Sequence, residues 1–190
     1  MNSVRVVEYK RFKDHRGWFS ETYNYRHLES ICLSDVFVQD NHSFSLCAGT
    51  VRGLHFQKPP YAQAKLVRCI AGRIFDVAVD IRRVSPTWGC WVGIELSPDT
   101  NLQLYIPVGF AHGFITLEPK TEVVYKVTNF YSADHDTGLF WKDPDIGIKW
   151  PLLEGMSIKI SDKDKILPGL KELNSSFEYN GIPLLPLNFN

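Results

Sequence analysis

Arg52, His55, Gln57, Gln63, Lys65 and Arg68 fall within the single stretch Gly49 to Arg68, interleaved with Val51, Leu54, Phe56, Leu66 and Val67. The apolar residues place this backbone in packed structure. The cations and the imidazole beside them must then line a wet cavity or be paired, because an unpaired buried charge costs several kcal/mol. Basic side chains and a histidine facing one pocket suit an anionic ligand that also needs a proton moved. The competing reading is an exposed hairpin with ordinary surface cations. A second histidine far along the chain, in Pro107-Val108-Gly109-Phe110-Ala111-His112-Gly113-Phe114, favours the pocket.

Composition narrows the ligand. Lys plus Arg and Asp plus Glu are 21 each, so no bulk field draws nucleic acid or an anionic membrane, and any anion must be held by a local cluster. With 190 residues, 44% hydrophobic and 13% aromatic, the chain can fill a sizeable core as one domain or one domain with an appendage. Cys32, Cys47, Cys69 and Cys90 form no CxxC and no Cys/His pair at zinc-ligand spacing. Cys69 lies in an apolar run and reads as a small buried residue. The first residues carry no apolar stretch of signal-peptide length, and no later run would span a membrane. The expectation is a cytoplasmic protein with free thiols, and neither a nucleic-acid nor a membrane partner.

Strands must hold these residues. Val4 to Tyr9 reads as a short strand, Asp14 to Gly17 as a turn, and Trp18 to Tyr23 as a second, aromatic-rich strand. Tyr25 to Cys32 is the best early helix candidate, though short. Val36 to Ser43 reads as a strand running into a polar cluster. Arg73 to Arg82 alternates cleanly, with Phe75, Val77, Val79 and Ile81 on one face and Asp76, Ala78 and Asp80 on the other. Arg82 and Arg83 read as solvated charges beyond its end. Further strands are expected at Trp91 to Leu96, Leu102 to Ile106, Gly113 to Leu117 and Thr121 to Asn129. Strands at short intervals, with Gly, Pro, Asn and Asp between them and no long amphipathic helix, predict an all-β sandwich or barrel. From Pro168 onward the chain reads as irregular. The expected organisation is one domain over 1–170 with a peripheral tail over 171–190.

The two histidine segments resemble the two-motif pattern of the cupin superfamily, which implies a jelly-roll β-barrel with a few short peripheral helices. Metal-binding cupins show Gly-(x5)-His-x-His and later Pro-x-Gly-(x2)-His-(x3)-Asn. Here Gln57 and Thr116 stand at two of the four ligand positions, and both are poor ligands for a divalent transition metal. The expectation is no metal and no cofactor, with the histidines released for acid–base work.

A narrower resemblance rests on ordered motifs. These are Asp14-x-Arg16-Gly17-x-Phe19-x-Glu21, Gln39-Asp40-Asn41-His42-Ser43, Arg52-Gly53-Leu54-His55-Phe56-Gln57, Ala62-Gln63-x-Lys65-Leu66-Val67-Arg68 and Asp76-Val77-Ala78-Val79-Asp80. Gly109 to Phe114, Tyr125-Lys126 and Asp143-Pro144-x-Ile146-Gly147-Ile148-x-Trp150-Pro151 complete the series. Together they are similar to the dTDP-4-dehydrorhamnose 3,5-epimerases over roughly residues 5 to 168. The resemblance implies a cofactor-independent epimerase. It would invert carbons 3 and 5 of dTDP-4-dehydro-6-deoxy-D-glucose to give dTDP-4-dehydro-L-rhamnose, in L-rhamnose biosynthesis. The alternatives are an epimerase acting at carbon 3 only, a 3,5-epimerase of a related nucleotide-linked 4-keto-6-deoxy sugar, or a non-catalytic or metal-binding cupin.

Both reacting carbons flank a ketone, so inversion needs a base on one ring face, an acid on the other and a donor for the enolate oxygen. The resemblance maps the base to His55, oriented by Asp164, with Asp162 as the other candidate partner. It maps the enolate stabiliser to Lys65, with His112 nearby, and the acid to Tyr125. Arg16, Phe19, Glu21, Gln39, Asn41, Arg52, Lys65 and Tyr131 match positions that hold sugar, diphosphate or base. Arg16, Phe19 and Glu21 would come from the neighbouring subunit of a homodimer, on an exchanged N-terminal strand. Two features stand out. Strict alternation sets Arg52 and His55 on opposite faces, which a bulge at Gly53 would resolve. Asp136 stands where many family members have Glu.

Overall fold

The computed structural model describes residues 3–152 and 154–187. The N-terminal reading therefore concerns two residues, 1 and 2, outside the described set, and the tail reading three, 188–190. The chain runs through β1 (Arg5–Glu8), β2 (Arg11–Asp14), β3 (Gly17–Ser20), α1 (Tyr25–Ser30), β4 (Gln39–Ser45), β5 (Val51–Gln57), β6 (Lys65–Ala71) and β7 (Ile74–Asp80). It continues through β8 (Trp91–Leu96), β9 (Leu102–Ile106), β10 (Phe110–Thr116), β11 (Thr121–Val127), β12 (Asp136–Gly138), α2 (Asp162–Lys165) and a 3-10 turn at Leu170–Glu172.

Two antiparallel five-stranded sheets, ordered β1-β9-β6-β11-β4 and β12-β5-β10-β7-β8, face each other as a jelly-roll barrel; β2 and β3 pair only with one another. This is the all-β, cupin-type architecture expected, with two short helices at the periphery.

Val67, Cys69, Ala78, Leu104, Ile106, Phe110, Phe114 and Val123 fill the space between the sheets. Each fully buried Val, Leu, Ile or Phe contributes about 1.5–3 kcal/mol. The alternation of β7 holds, and both of its faces are buried. Ala78 and Asp76 look into the barrel, while Val77 and Val79 pack outward against Leu139, Ile146, Leu170 and Phe177. The chain after β12 thus forms a third layer over the second sheet.

Three local expectations need correction. The strand placed at Val36 to Ser43 begins only at Gln39, and the polar cluster is itself the strand, because its backbone is paired along β11 from Gln39↔Val127 to Ser45↔Thr121. The strand placed at Trp18 to Tyr23 ends at Ser20. Arg82 is not a solvated charge. It is 2% exposed, donating from Nε and Nη2 to Asp80 and from Nη1 to Asn180 Oδ1 at 2.8 Å and the Ile182 carbonyl at 2.9 Å. Its guanidinium lies 4.5 Å from the Phe110 ring centroid. Asp80 and the tail carbonyl replace the water that Arg82 would otherwise need. The described residues of the tail form no strand of their own, yet Phe177 and Leu184 are buried against the barrel.

The bulge lies where the chemistry demanded it. Along β10 the register advances two residues, His112 to Phe114, while β5 advances three, from His55 back to Arg52. The extra residue brings Arg52 and His55 to the same face. Gly53 permits it, with φ of +116° and its Cα against Gly113, where an added Cβ would sit 2.6 Å from Gly113 Cα.

Candidate active site

A cavity of about 530 Å³ opens between the sheets, lined by Arg52, His55, Lys65, His112, Tyr125 and Asp164 among others. The second sheet supplies Arg52 and His55 from β5 and His112 from β10. The first sheet supplies Lys65 from β6 and Tyr125 from β11, directly across. These side chains converge because each sits at an inward-facing strand position. The described residues hold no group of three or more His, Cys, Asp or Glu side chains set to bind a metal ion.

His55 Nε2 lies 2.7 Å from Asp164 Oδ1, which decides between the two candidate carboxylates. Asp162 faces solvent and pairs with Lys165. Asp164 is delivered by α2, whose N-cap Ser161 accepts from the Asp164 N–H at 3.1 Å. Burial alone would raise the Asp164 pKa, but hydrogen bonds from His55 and the Gly53 N–H, with the charge of the imidazole, hold it below its ordinary value. With Nε2–H donated to that carboxylate, Nδ1 of His55 carries the lone pair.

Lys65 is half-buried in the cavity wall, and burial pushes its ammonium down to about 8, against the opposing pull of Asp136 and Asp76. Its Nζ donates one long bond, 3.4 Å to the His55 carbonyl, leaving donor capacity for a ligand. Burial also raises the Tyr125 phenol, opposed by the charge of Arg52, so tyrosine stays protonated at neutral pH. His112 is pushed down by burial and by the neighbouring Lys65 charge, against Asp76 beside it, and is a neutral imidazole at pH 7.

The residues at the other two cupin ligand positions are engaged elsewhere. Gln57 donates to the Tyr61 and Phe130 carbonyls and accepts from the Ser132 N–H. Thr116 donates to the Cys47 carbonyl and accepts from the Thr50 N–H. These side chains brace loops, and with amide and hydroxyl donors in place of imidazole the set does not fit a transition metal.

Not every expected residue joins the cavity. Asn41 faces inward opposite Tyr125 in the β4/β11 register and accepts from Gln39 Nε2 at 2.8 Å. Gln39 in turn accepts from the Tyr131 N–H at 3.1 Å, so these three form one cluster beside the cavity. The β2–β3 hairpin stands away from the site. Its Arg16 pairs with Asp14 of the same hairpin, and Glu21 just beyond it accepts from Asn24. Phe12, Trp18 and Phe19 are 58%, 58% and 69% exposed.

Other residues at the site were given no role from the sequence. Lys159, Ser161 and Lys163 line the cavity rim, and Lys163 Nζ lies 2.5 Å from Asp136 Oδ2, which also accepts from the Tyr131 hydroxyl at 3.3 Å. Asp76 Oδ1 lies 2.7 Å from His112 Nε2. A carboxylate within the apolar run of β7 was the available signal for Asp76. Lys163 had none beyond its place next to Asp164. The four cysteines are free thiols, and burial pushes Cys69 up to about 12. No helix among the described residues is long and apolar enough to cross a membrane.

Comparison with known proteins gives a consistent picture. A family model described as dTDP-4-dehydrorhamnose 3,5-epimerase matches residues 1–172. The dTDP-4-dehydrorhamnose 3,5-epimerase of Sinorhizobium fredii is 51% identical over 176 residues, covering 93% of this chain and 89% of that protein. The crystal structure of the Bacillus anthracis dTDP-4-dehydrorhamnose 3,5-epimerase, with TDP and PPi bound, matches at 51% identity and a TM-score of 0.84, over 87% of this chain and 93% of that one. The Legionella pneumophila dTDP-6-deoxy-D-glucose-3,5-epimerase, in complex with dTDP-4-keto-L-rhamnose, matches at 39% identity and a TM-score of 0.88, over 94% and 97%.

Proposed function

The chain belongs to the dTDP-4-dehydrorhamnose 3,5-epimerase family, and on that premise we propose how its residues carry the reaction. It is an epimerase that inverts carbons 3 and 5 of dTDP-4-dehydro-6-deoxy-D-glucose to give dTDP-4-dehydro-L-rhamnose, in L-rhamnose biosynthesis. One observation carries the assignment of roles. His55 with its Asp164 partner and Tyr125 stand on facing sheets of one cavity, with Lys65 on the sheet of Tyr125 and its Nζ 3.4 Å from the His55 carbonyl.

The Nδ1 lone pair of His55 takes the proton from the carbon beside the ketone. The C–H electrons form the C=C bond and the carbonyl electrons move onto the oxygen. Asp164 stabilises the imidazolium that results, and the Lys65 ammonium donates to the enolate oxygen. Tyr125 returns a proton to the opposite face, and the Arg52 cation favours the phenolate left behind. Solvent then reprotonates Tyr125 and takes the proton from His55. Carbons 3 and 5 react in turn by the same steps.

Arg52, with Lys159 and Lys163 at the rim, gives the cavity mouth the positive charge that a nucleotide diphosphate needs. Gln39, Asn41 and Tyr131 form the neighbouring cluster for the nucleoside end, and His112 contacts the sugar. Arg16, Phe19 and Glu21 serve the site of a second copy of the chain in a homodimer. A two-stranded hairpin is marginal in water by itself, and one carrying three exposed aromatic rings favours a cover. Residues 1–170 are the catalytic unit, and among the described residues none beyond Asp164 lines the cavity. The protein works in the cytoplasm.

The test uses dTDP-4-dehydro-6-deoxy-D-glucose in deuterated buffer, with proton NMR scoring exchange and stereochemistry separately. His55→Ala should neither exchange nor invert. Tyr125→Phe keeps the base and the enolate donor, so exchange continues and the proton returns on the face it left, with configuration retained. Wild-type exchange by the His55 variant would move the base elsewhere. Full inversion by the Tyr125 variant would remove tyrosine from the acid role.

A further inference from the structure

A second imidazole–carboxylate pair stands beside the first. His112 is the register partner of His55 across β10 and β5, and its Nε2 is 2.7 Å from Asp76 Oδ1. The two pairs differ in access. The His55 side chain is 31% exposed, that of His112 6%, and Asp76 is fully enclosed. Asp76 does not line the cavity, and its Oδ2 has no hydrogen-bond partner among the described residues. A buried carboxylate with one oxygen unpartnered is costly unless a charge nearby offsets it. Lys65, on the facing sheet and lining the same cavity as His112, has donors to spare and is the nearby cation, favoured by Asp136 and then by Asp76.

We propose that Asp76 is a positioning residue for the enolate-stabilising end of the cavity: it holds His112 through Nε2, leaving Nδ1 as an acceptor, and its charge keeps Lys65 an ammonium. This rests on the role given to Lys65 above. Because His112 is neutral and donates Nε2–H to Asp76, its other nitrogen can only accept, from a sugar hydroxyl or a Lys65 N–H. Lys65 is then the donor to the ketone oxygen, and it serves only while protonated. The groups around it are Arg52 and His55 on β5, Asp76 on β7, His112 on β10, Tyr125 on β11, Asp136 on β12, and Lys159, Lys163 and Asp164 in and before α2. Burial pushes Lys65 down to about 8, and Asp136 and Asp76 oppose it. Activity that needs the ammonium is present below that value and lost as pH rises through it.

The experiment is the pH profile of kcat for solvent deuterium exchange in the wild type and in Asp76→Asn, Asp76→Glu and Lys65→Arg. The wild type should lose activity above about pH 8. Asn keeps the shape and an acceptor for Nε2–H but removes the charge. Its alkaline limb should move down by about one pH unit, a loss of about fivefold at pH 8 that shrinks below the limb. Asp76→Glu should hold the limb in place. A uniform loss at every pH with the limb unmoved would overturn the proposal and leave Asp76 a structural residue. A limb that persists in Lys65→Arg would instead overturn the role of Lys65 itself. If Asp76→Asn fails to give a folded protein by thermal melting, His112→Gln retains the carboxylate and should leave the limb at or above the wild-type position. A downward move there would refute the assignment to the charge of Asp76.

Discussion

Asp164→Asn removes one charge and almost nothing of the shape, so its effect can be worked from two contacts. Asp164 Oδ1 is 2.7 Å from His55 Nε2, and Oδ2 is 3.4 Å from the backbone nitrogen of Gly53. An asparagine has one acceptor for these two donors. If its oxygen faces Gly53, its NH2 faces Nε2 and drives the imidazole proton onto Nδ1, which removes the lone pair that takes the substrate proton. If its oxygen faces His55, the useful tautomer survives, but the enclosed Gly53 N–H meets a donor, at about 1–3 kcal/mol. In either case the imidazolium formed during proton abstraction loses a hydrogen bond to a charged partner, worth about 1.5–3 kcal/mol. Turning the amide from Gly53 to His55 to reach the useful tautomer costs the first figure and the weakened imidazolium costs the second, about 2.5–6 kcal/mol together, or a loss of about 10²–10⁴ in kcat.

The assay is initial-rate deuterium incorporation at carbons 3 and 5, with KM from the substrate dependence and a melting curve at the same pH as a fold control. KM should change little, because Arg52, Lys65 and the rim lysines remain. The reasoning is refuted by a folded variant with wild-type kcat, or by one whose whole defect lies in KM.

Other expected outcomes follow from the fold. Arg82→Met leaves Asp80 buried without its cation and should cost about 3–5 kcal/mol, read as a lowered melting midpoint. Burial alone would raise the Asp80 pKa, but hydrogen bonds from Arg82, Ser85 and Thr87 hold it low, so its contribution is present above the unfolded carboxyl value and lost as pH falls through the folded one. The deficit of Arg82→Met should accordingly narrow below about pH 4. Gly53→Ala places a Cβ 2.6 Å from both Gly113 Cα and the His112 carbonyl, at a φ of +116°. It should lower stability by about 2–5 kcal/mol and exchange activity with it, since β5 and β10 carry both histidines. Arg16→Ala and His55→Ala chains should each be nearly inactive alone, yet co-expression should restore about a quarter of wild-type activity if the hairpin serves the partner's site. Mixed chains that stay inactive would assign Arg16 to its own cavity.

How far the sequence could be read follows from how far apart the interacting residues lie. The all-β class was legible because short strand-like runs recur between turn residues, whereas the jelly-roll, the base, the acid and the lysine were legible through motifs that resemble a known family. Even the bulge was legible as a contradiction, since Arg52 and His55 could share a cavity only if alternation broke at Gly53. Arg82 was misread because nothing near it marks burial. Its partners Asn180 and Ile182 lie 98 and 100 residues away and bring the polar atoms that replace water. The strand at β4 was set too early for a related reason: its polar side chains look like a loop until β11 satisfies the backbone. The same limit governs the chemistry. His55 can present Nδ1 as a base because Asp164, 109 residues downstream, takes its Nε2–H. His112, kept neutral by burial, presents its own Nδ1 because Asp76, 36 residues upstream on the neighbouring strand, takes its Nε2–H. A motif names a reacting side chain, whereas its protonation state is set by partners that the fold brings from far along the chain.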